Sequence, residues 1–599
     1  ALAIAESLQT HAEALRRAMQ PRDALPVEEA AWREARRNYT DVAELRAALR
    51  TMDRGKTGQS VGLEQLSELQ DHVLAPWLQV TAMFFAGEVV DELKLGVVSP
   101  LPKSLEAFRP VTLLEPLYKC CMATMSGRVL HFLHEYGLLD TAQFGFVVDG
   151  SCTEPLKIMA RLFETGRGEH GEELHVAFLD ATSAFDSVPH TTLDAALRRL
   201  GAPEDFVAWL RAVLHGHRRK AATAYEVDGD DVAVELAGGT PQGCPASPLI
   251  WTIVADYALA VLRAKGDDAG VDVHFGGEVL RALAFADDLA VVARTREGLR
   301  GMVQLLVAAM GAIGVRFNAR KSYYTWSAEA ARAAGLDPAE VPQQPLEVDV
   351  LDADGRWRRA ALTSVPPEGD ADGETLPERG ASRYLGVYFS FEGVDDAPWA
   401  EQDGYTRRVV NNFFAQLAMV EPSPQQYTTI VRGLLISKVG YGGRVRLPPD
   451  EMLQDIRVRT AQGMARLLRL GAIGGQQNEA SSAVDVEMLL APVEAMGGGV
   501  PDIRADLLAE IAVDIVSMLH SSRAAVRAAV EPTSEEQRAV LAALHGDAGV
   551  TLHVRGATPP TGTASVQTLP KAPTWAAAAP APSGPGRAAG AFEAQARLT

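Results

Sequence analysis

Two adjacent carboxylates, Asp287 and Asp288, sit in the run Phe285-Ala286-Asp287-Asp288, flanked by small and apolar residues. No Lys or Arg lies within five residues of the pair on either side. The pattern predicts strand, tight turn, strand over Leu280 to Arg294. Two like charges at one tip repel each other and make the turn costly to fold. A divalent cation would remove that cost; an Asp-Asp turn that is only solvated is the other reading. A third carboxylate, Asp180, closes the apolar strand-like run from His175. Ligand groups favour the carboxyl ends of strands, although a lone Asp there could equally cap a helix.

Cations and a stiff loop lie between these acids. One strand-like run ends on Lys103 and the next begins on Arg109. At the facing ends of a hairpin they could hold a triphosphate, Arg as a fork and Lys as a point charge, or stand as solvated loop charges. Gly238 to Ala246 is rich in Gly and Pro, and includes Gln242 and Gly243. Its backbone could approach a flat ligand closely, or it could be plain punctuation before a helix. That helix is expected over Ser247 to Ala264, with Ser247 at N-cap and Pro248 at N1. Further helices are expected over Leu117 to Tyr136, His190 to Leu200 and Glu297 to Gly311. The segment 327–380 has weak pattern, and Tyr384-Leu385-Gly386-Val387-Tyr388-Phe389 reads again as strand.

Bulk properties set bounds. A chain of 599 residues, 47% hydrophobic and 22% charged, fits a soluble globular protein of several layers. Its 4 cysteines form no Cys-x-x-Cys pair and have no His at zinc spacing, so a reducing compartment is expected. No apolar run approaches a membrane span, and no signal peptide is read. The chain begins Ala1-Leu2-Ala3-Ile4 without Met, as a fragment or processed product would. Its net charge of −20 is awkward for a nucleic-acid partner. Placement counts for more than the sum: Asp337 to Glu378 is acidic, whereas Tyr405 to Leu470 is helical and basic. The residues from Arg555 are Ala-, Pro- and Gly-rich and are expected to be disordered.

Taken in order, these blocks resemble the reverse transcriptase domain of the non-LTR (LINE-type) retrotransposons. The matching residues are Lys103 and Arg109, then Gln143-Phe144-Gly145-Phe146 and Asp180-x-x-x-Ala184-Phe185-Asp186-x-Val188. Gly239-x-Pro241-Gln242-Gly243-x-x-x-Ser247-Pro248, Phe285-Ala286-Asp287-Asp288, Asn318-x-x-Lys321 and Tyr384-Leu385-Gly386 follow. Ser183 departs from the pattern where many relatives carry Lys, and Val147 where a basic residue is frequent. The resemblance covers about 50 to 500.

The resemblance implies an α+β fold shaped as a right hand: fingers, a palm with an antiparallel sheet, and a helical thumb. The expected division is a helical extension over 1–50, fingers and palm over 51–395 with an acidic insert at about 327–380, and a basic thumb over 396–500. C-terminal helices over 501–554 and a tail over 555–599 complete it. The implied activity is RNA-directed DNA synthesis, with nucleotidyl transfer from a dNTP to a primer 3′-hydroxyl. Asp180, Asp287 and Asp288, with the carbonyl of Ala181, would hold two Mg²⁺ ions, or Mn²⁺ in their place. Lys103 and Arg109 would hold the phosphates, Phe185 would reject a 2′-hydroxyl, and Gln242 and Gly243 would contact nucleotide and template. Lys321 is assigned to the leaving group, and Tyr384, Leu385 and Gly386 to the primer. Implied partners are an RNA template, a DNA primer or nicked target DNA, and dNTPs, with no membrane. The implied setting is intracellular, in the nucleus or a cytoplasmic ribonucleoprotein. No endonuclease domain or Cys/His knuckle is read, so nothing in the chain is expected to cut target DNA. A group II intron-type reverse transcriptase with maturase activity is one alternative; Phe285 and the block Gly497 to Asp502 favour the retrotransposon branch. The other is a domesticated, inactive copy acting as an RNA-binding scaffold.

Overall fold

The structure is a computed structural model. It describes residues 20–52, 63–102, 108–166, 171–182, 188–221, 234–235, 238–264, 270–319, 321–335, 345–351, 356–362, 382–389, 391, 399–468, 489–490 and 499–530. The tail over 555–599 lies outside the described residues. Two compact units divide the chain. One comprises Ala1–Pro155, Thr165–Phe275 and Val279–Leu385; the other comprises Leu156–Glu164, Gly276–Glu278 and Gly386–Thr599.

In chain order the strands as far as residue 384 are β1 (Leu95–Pro102), β2 (Phe108–Leu113), β3 (His175–Thr182), β4 (Arg218–Ala221), β5 (Val234–Glu235), β6 (Val273–Phe275) and β7 (Glu278–Leu280). They continue as β8 (Ala282–Phe285), β9 (Asp288–Ala293), β10 (Arg316–Phe317), β11 (Tyr323–Trp326), β12 (Leu346–Leu351), β13 (Trp357–Leu362) and β14 (Ser382–Tyr384). In the first unit one sheet has the order β2-β1-β4-β5, and a second runs β10-β3-β9-β8 with β11 also on β3. Every pairing in the second sheet is antiparallel.

That second sheet separates two environments by simple alternation. Ala177, Leu179 and Ala181 of β3 join the main core, as do Ala282 and Ala284 of β8 and Leu289, Val291 and Ala293 of β9. They pack with residues of the helices Pro116–Glu135, Ser247–Arg263 and Arg296–Ala312. The intervening residues Phe178, Asp180, Leu283 and Asp288 therefore face the other way. The helix Ser247–Arg263 is buried almost all round, from Leu249 to Leu262, which is why its sequence lacks a polar stripe. Full burial of one of its large side chains, such as Trp251 or Tyr257, contributes about 1.5–3 kcal/mol.

Local details differ from the sequence reading. The helix expected to be capped by Ser247 has Ala246 at N-cap and Ser247 as its first residue. The Ser247 hydroxyl instead donates to the Pro241 carbonyl at 2.9 Å, pinning the preceding loop. The strand expected to end at Asp180 continues to Thr182, because β10 pairs with Ala181 and Thr182. Within 327–380 the described residues form a short helix, Ala328–Ala333, capped by Ser327, and an antiparallel hairpin β12–β13. Leu346 and Val348 alternate with Glu347 and Asp349, and the apolar pair is buried in the main core. The partner strand β13 lacks such a period, so the sequence shows only half of the hairpin.

Two buried imidazoles make the first unit acid-sensitive. His175 lies at the start of β3 with Nδ1 2.7 Å from the Tyr324 hydroxyl. Burial and then the Arg296 charge push its pKa down to about 4, although the Glu173 carboxylate lies 3.6 Å from Nε2. His217 is pushed down to about 4 by burial and then by Lys94, Arg219 and His190. An unfolded His takes up its proton near pH ~6.5, so between there and pH 4 the unfolded chain binds more protons. Stability is full above that range and falls as pH drops through it. Thermal melting should drop between pH 7 and 4.5, and His217→Asn should flatten that slope.

The second unit is mostly helical among its described residues. It contains β15 (Val387–Phe389) and the helices Ala400–Leu417, Pro424–Ile430, Ser437–Gly443, Asp450–Leu467, Ile503–Leu519 and Ala524–Val530. A π-helical stretch, Val431–Ile436, joins two of these. Phe163 stacks on Phe391 with ring centroids 4.0 Å apart. Several of the basic residues are tied within the unit: Arg457 to Asp502, Arg446 to Asp403, and Arg444 to Asp514. Arg407, Arg408, Arg432, Lys438 and Arg466 are exposed. Among the described residues no helix is long and apolar enough to cross a membrane.

Candidate active site

The two separated acids meet because β3 and β9 pair in register. Asp180 stands directly opposite Asp288, and Phe285 opposite Asp288 across the β8–β9 hairpin. Directly paired residues have Cβ atoms about 4.5–5.5 Å apart and share a face. Asp287 occupies the two-residue turn between the strands, after Ala286 at φ 59°. The tip thus gathers three carboxylates from stretches about a hundred residues apart in sequence.

Backbone clasps hold each side. On β3 the Asp180 N–H donates to Ser322 Oγ at 3.1 Å, and the Asp180 carbonyl accepts from Asn318 N–H at 2.9 Å. Ser322 Oγ itself donates to the Asn318 carbonyl at 2.9 Å. Both backbone groups of Asp180 therefore point toward the 318–322 turn. Strand alternation then turns those of Ala181 toward the β9 edge, past Asp288, the last residue in that register. On β8, Phe144 N–H donates to the Ala284 carbonyl at 2.7 Å and Ala284 N–H donates to the Ala142 carbonyl at 2.8 Å. Tyr384 is buried, packs 5.5 Å from Phe178, and donates its hydroxyl to the Leu283 carbonyl at 3.2 Å.

Electrostatics at the tip favour a cation. The Asp288 carboxyl is pushed up to about 7, first by lost hydration and then by the charges of Asp287 and Asp180. Asp288 is open to solvent by surface area, so the like charges are the more durable part of that shift. A neighbouring positive ion would reverse it. The donors are all hard oxygens, which suits Mg²⁺ or Mn²⁺. Among the described residues no three acidic, thiol or imidazole groups already close on one ion position. Mg²⁺ does not require such a cage, because it keeps waters and binds through one or two carboxylates together with substrate phosphates.

The other expected residues fall in three places. Arg109 is exposed, paired with Leu101 one step from the end of the β1–β2 hairpin. Lys103 and Phe185 lie outside the described residues. Lys321 is exposed on the turn that clasps Asp180. Gln242 and Gly243 are docked on β2, where the Gln242 carbonyl accepts from Thr112 N–H at 2.6 Å. Gly243 has φ 119°, and a Cβ there would stand 2.4 Å from the Thr112 carbonyl oxygen. The close backbone approach expected for a flat ligand is thus taken up, on this side, by a strand. Leu385 and Gly386 form a turn with φ of 47° and 81°.

Gly243→Ala is expected to cost about 1–3 kcal/mol, because the left-handed backbone is strained and the Cβ meets backbone. Gly216→Ala, at φ 76° with nothing within 4 Å, should cost only about 1 kcal/mol. Denaturant midpoints of the two variants check the difference.

Sequence reasoning did not single out Ser322 or the inward turn of Tyr384. The signal for Ser322 is its place next to Lys321 in the Asn318 block; nothing in sequence marks Tyr384 as buried.

Comparison with known proteins bears on this geometry. Residues 101–387 match the family model described as reverse transcriptase (RNA-dependent DNA polymerase). Over 219 residues the chain is 31% identical to the Retrovirus-related Pol polyprotein from type-1 retrotransposable element R2 of Nasonia vitripennis, covering 36% of this chain and 20% of that protein. It is 27% identical over 247 residues to the type-2 R2DM polyprotein of Drosophila melanogaster, covering 40% and 22%. An R2 polyprotein of Popillia japonica is 24% identical over 388 residues, covering 63% and 46%. The chain thus spans between a fifth and a half of the length of these relatives.

Proposed function

We propose that residues 101–387, which match the reverse transcriptase family model and are similar to R2 retrotransposon polyproteins, form a reverse transcriptase domain of the non-LTR type and that the chain is an RNA-directed DNA polymerase. The observation that carries the reading is the in-register pairing of Asp180 with Asp288 beside Asp287. The first sheet and its hairpin act as fingers, the second sheet as palm, and the helices after residue 396 as a basic thumb. The helices Pro26–Ala35 and Val42–Thr51, and Ile503–Leu519 with Ala524–Val530, serve as extensions before and after these parts.

Asp180 and Asp287, with the Ala181 carbonyl and Asp288, would hold two Mg²⁺ or Mn²⁺ ions, which when bound would supply charge neutralisation and Lewis-acid polarisation of phosphoryl oxygens. Ser322 and Asn318 fix Asp180 by its backbone, so its side chain is pre-aimed. Arg109 and Lys103 bind the dNTP phosphates, and Lys321 serves the leaving group. Phe185 excludes the 2′-hydroxyl, and Gln242 and Gly243 shape the nucleotide and template pocket from β2. Because Tyr384 is turned inward, it supports β8, and grip on the primer falls to the Leu385–Gly386 turn. Exposed Arg407, Arg408, Arg432, Lys438 and Arg466 meet nucleic-acid backbone. The substrates are an RNA template, a DNA primer or nicked target, and dNTPs.

Primer extension on an RNA template tests the reading. Extension should need Mg²⁺ or Mn²⁺ and stop with chelator. No extension on any RNA template at saturating metal would overturn it.

A further inference from the structure

Gln143 is completely buried, and its side-chain oxygen is spent on backbone. Oε1 accepts from Gly145 N–H at 2.9 Å and from Ala286 N–H at 3.3 Å. Ala286 is the residue immediately before the acid pair, and it holds φ 59°. An L-residue with a Cβ is uncommon in that region, where glycine is the usual occupant. Its N–H points into protein, and without an acceptor it would be a buried unsatisfied donor. The Gln143 amide is therefore matched to one conformation of the turn, the left-handed one.

A second contact makes the same demand. A Cβ built on Gly145 would stand 2.4 Å from Ala286 N and 3.0 Å from the Phe285 carbonyl carbon. The Gln143–Gly145 segment lies against the turn as closely as a backbone can, and a parallel bridge joins Gln143 to Ala284. Phe146, also left-handed at φ 58°, puts its ring 6.5 Å from that of Phe285. Loop and turn fix one another, and the carboxylates at 287 and 288 ride on the fixed turn.

We propose that Gln143 is a positioning residue for nucleotidyl transfer, acting through the Ala286 amide to hold the left-handed turn that aims Asp287 and Asp288. The proposal rests on reading this tip as the transfer centre. Its effect falls on alignment of the acids and leaves nucleotide affinity alone.

The test uses the full chain and Gln143→Met, which keeps side-chain volume and removes the acceptor. In metal-free protein, amides over Leu283 to Asp288 should exchange hydrogen at least ~10-fold faster, with those of the helix Ser247–Arg263 unchanged. In primer extension kcat should fall ~10- to 100-fold, with KM for dNTP within ~3-fold of the parent. Adding Ala286→Gly, which accepts the left-handed backbone freely, should return at least ~5-fold of the lost kcat. Should Gln143→Met not fold, Gly145→Ala presses on the same turn from the other side and should give the same split between kcat and KM. Unchanged exchange at 283–288, a loss carried by KM, or no rescue by Ala286→Gly would each overturn the proposal. An inactive parent chain would instead sink the transfer reading, and the exchange result alone would then decide whether Gln143 braces the turn.

Discussion

Asp287→Asn should stop DNA synthesis on an RNA template, with kcat lower by ~10³-fold or more, while RNA binding stays within ~2-fold. The substitution keeps shape and removes one of three converging charges. Metal ions contribute several kcal/mol of charge stabilisation in such transfers, and each 1.36 kcal/mol is a factor of ten in rate. The same change relieves repulsion at the tip, where lost hydration and then the charges of Asp287 and Asp180 push the Asp288 carboxyl up to about 7. Metal-free Asp287→Asn protein should therefore melt no lower than the parent, and slightly higher at neutral pH. Synthesis retained near the parent rate would remove Asp287 from the chemistry. A large fall in melting temperature would instead point to a structural role.

Asp272→Ala should be the most destabilising of the changes considered. Asp272 is fully buried and takes both arms of Arg281, at 2.9 Å from Nε and 2.7 Å from Nη2. Arg281 Nη1 also reaches the Leu262 and Arg263 carbonyls at the end of the long buried helix. Removing the acid leaves a guanidinium buried and uncompensated, which costs about 3–5 kcal/mol. Arg281 immediately precedes β8, so the β8–β9 hairpin should loosen as well. Replacing both partners by apolar residues, as Arg281→Met with Asp272→Leu, should recover much of the loss. Urea unfolding of the single and double variants measures the coupling; an additive pair would mean that the ion pair is not the cause.

The sequence carried the parts of this site more clearly than their joining. Small and apolar residues on both sides of two acids marked a hairpin, and the apolar run from His175 marked a strand. The register that sets Asp180 against Asp288 was not written there, because period reports which face is apolar and never which strand is the partner. The Gly/Pro loop was legible as stiff, yet its contact is the Thr112 backbone, a tertiary choice that local residues do not encode. Tyr384 to Phe389 read as one strand, yet Leu385 and Gly386 break it with a turn, and Tyr384 packs inward against Phe178. The β12–β13 hairpin was not legible because only β12 carries a period of two; β13, Trp357-Arg358-Arg359-Ala360-Ala361-Leu362, does not.

The helix Thr153–Thr165 contributes residues 156–164 to the second unit, most of which follows Gly386. That division has a consequence for biogenesis. Phe163 leaves the ribosome more than two hundred residues before Phe391, the ring it stacks on. At about 5–20 residues per second, synthesis leaves that apolar side chain waiting roughly 10–45 s. During this interval the nascent chain holds an amphipathic helix whose apolar face lacks Phe391, a natural client for a holding chaperone. A translation product stopped at residue 385 would keep it orphaned for good, so truncated copies should aggregate more readily than the whole.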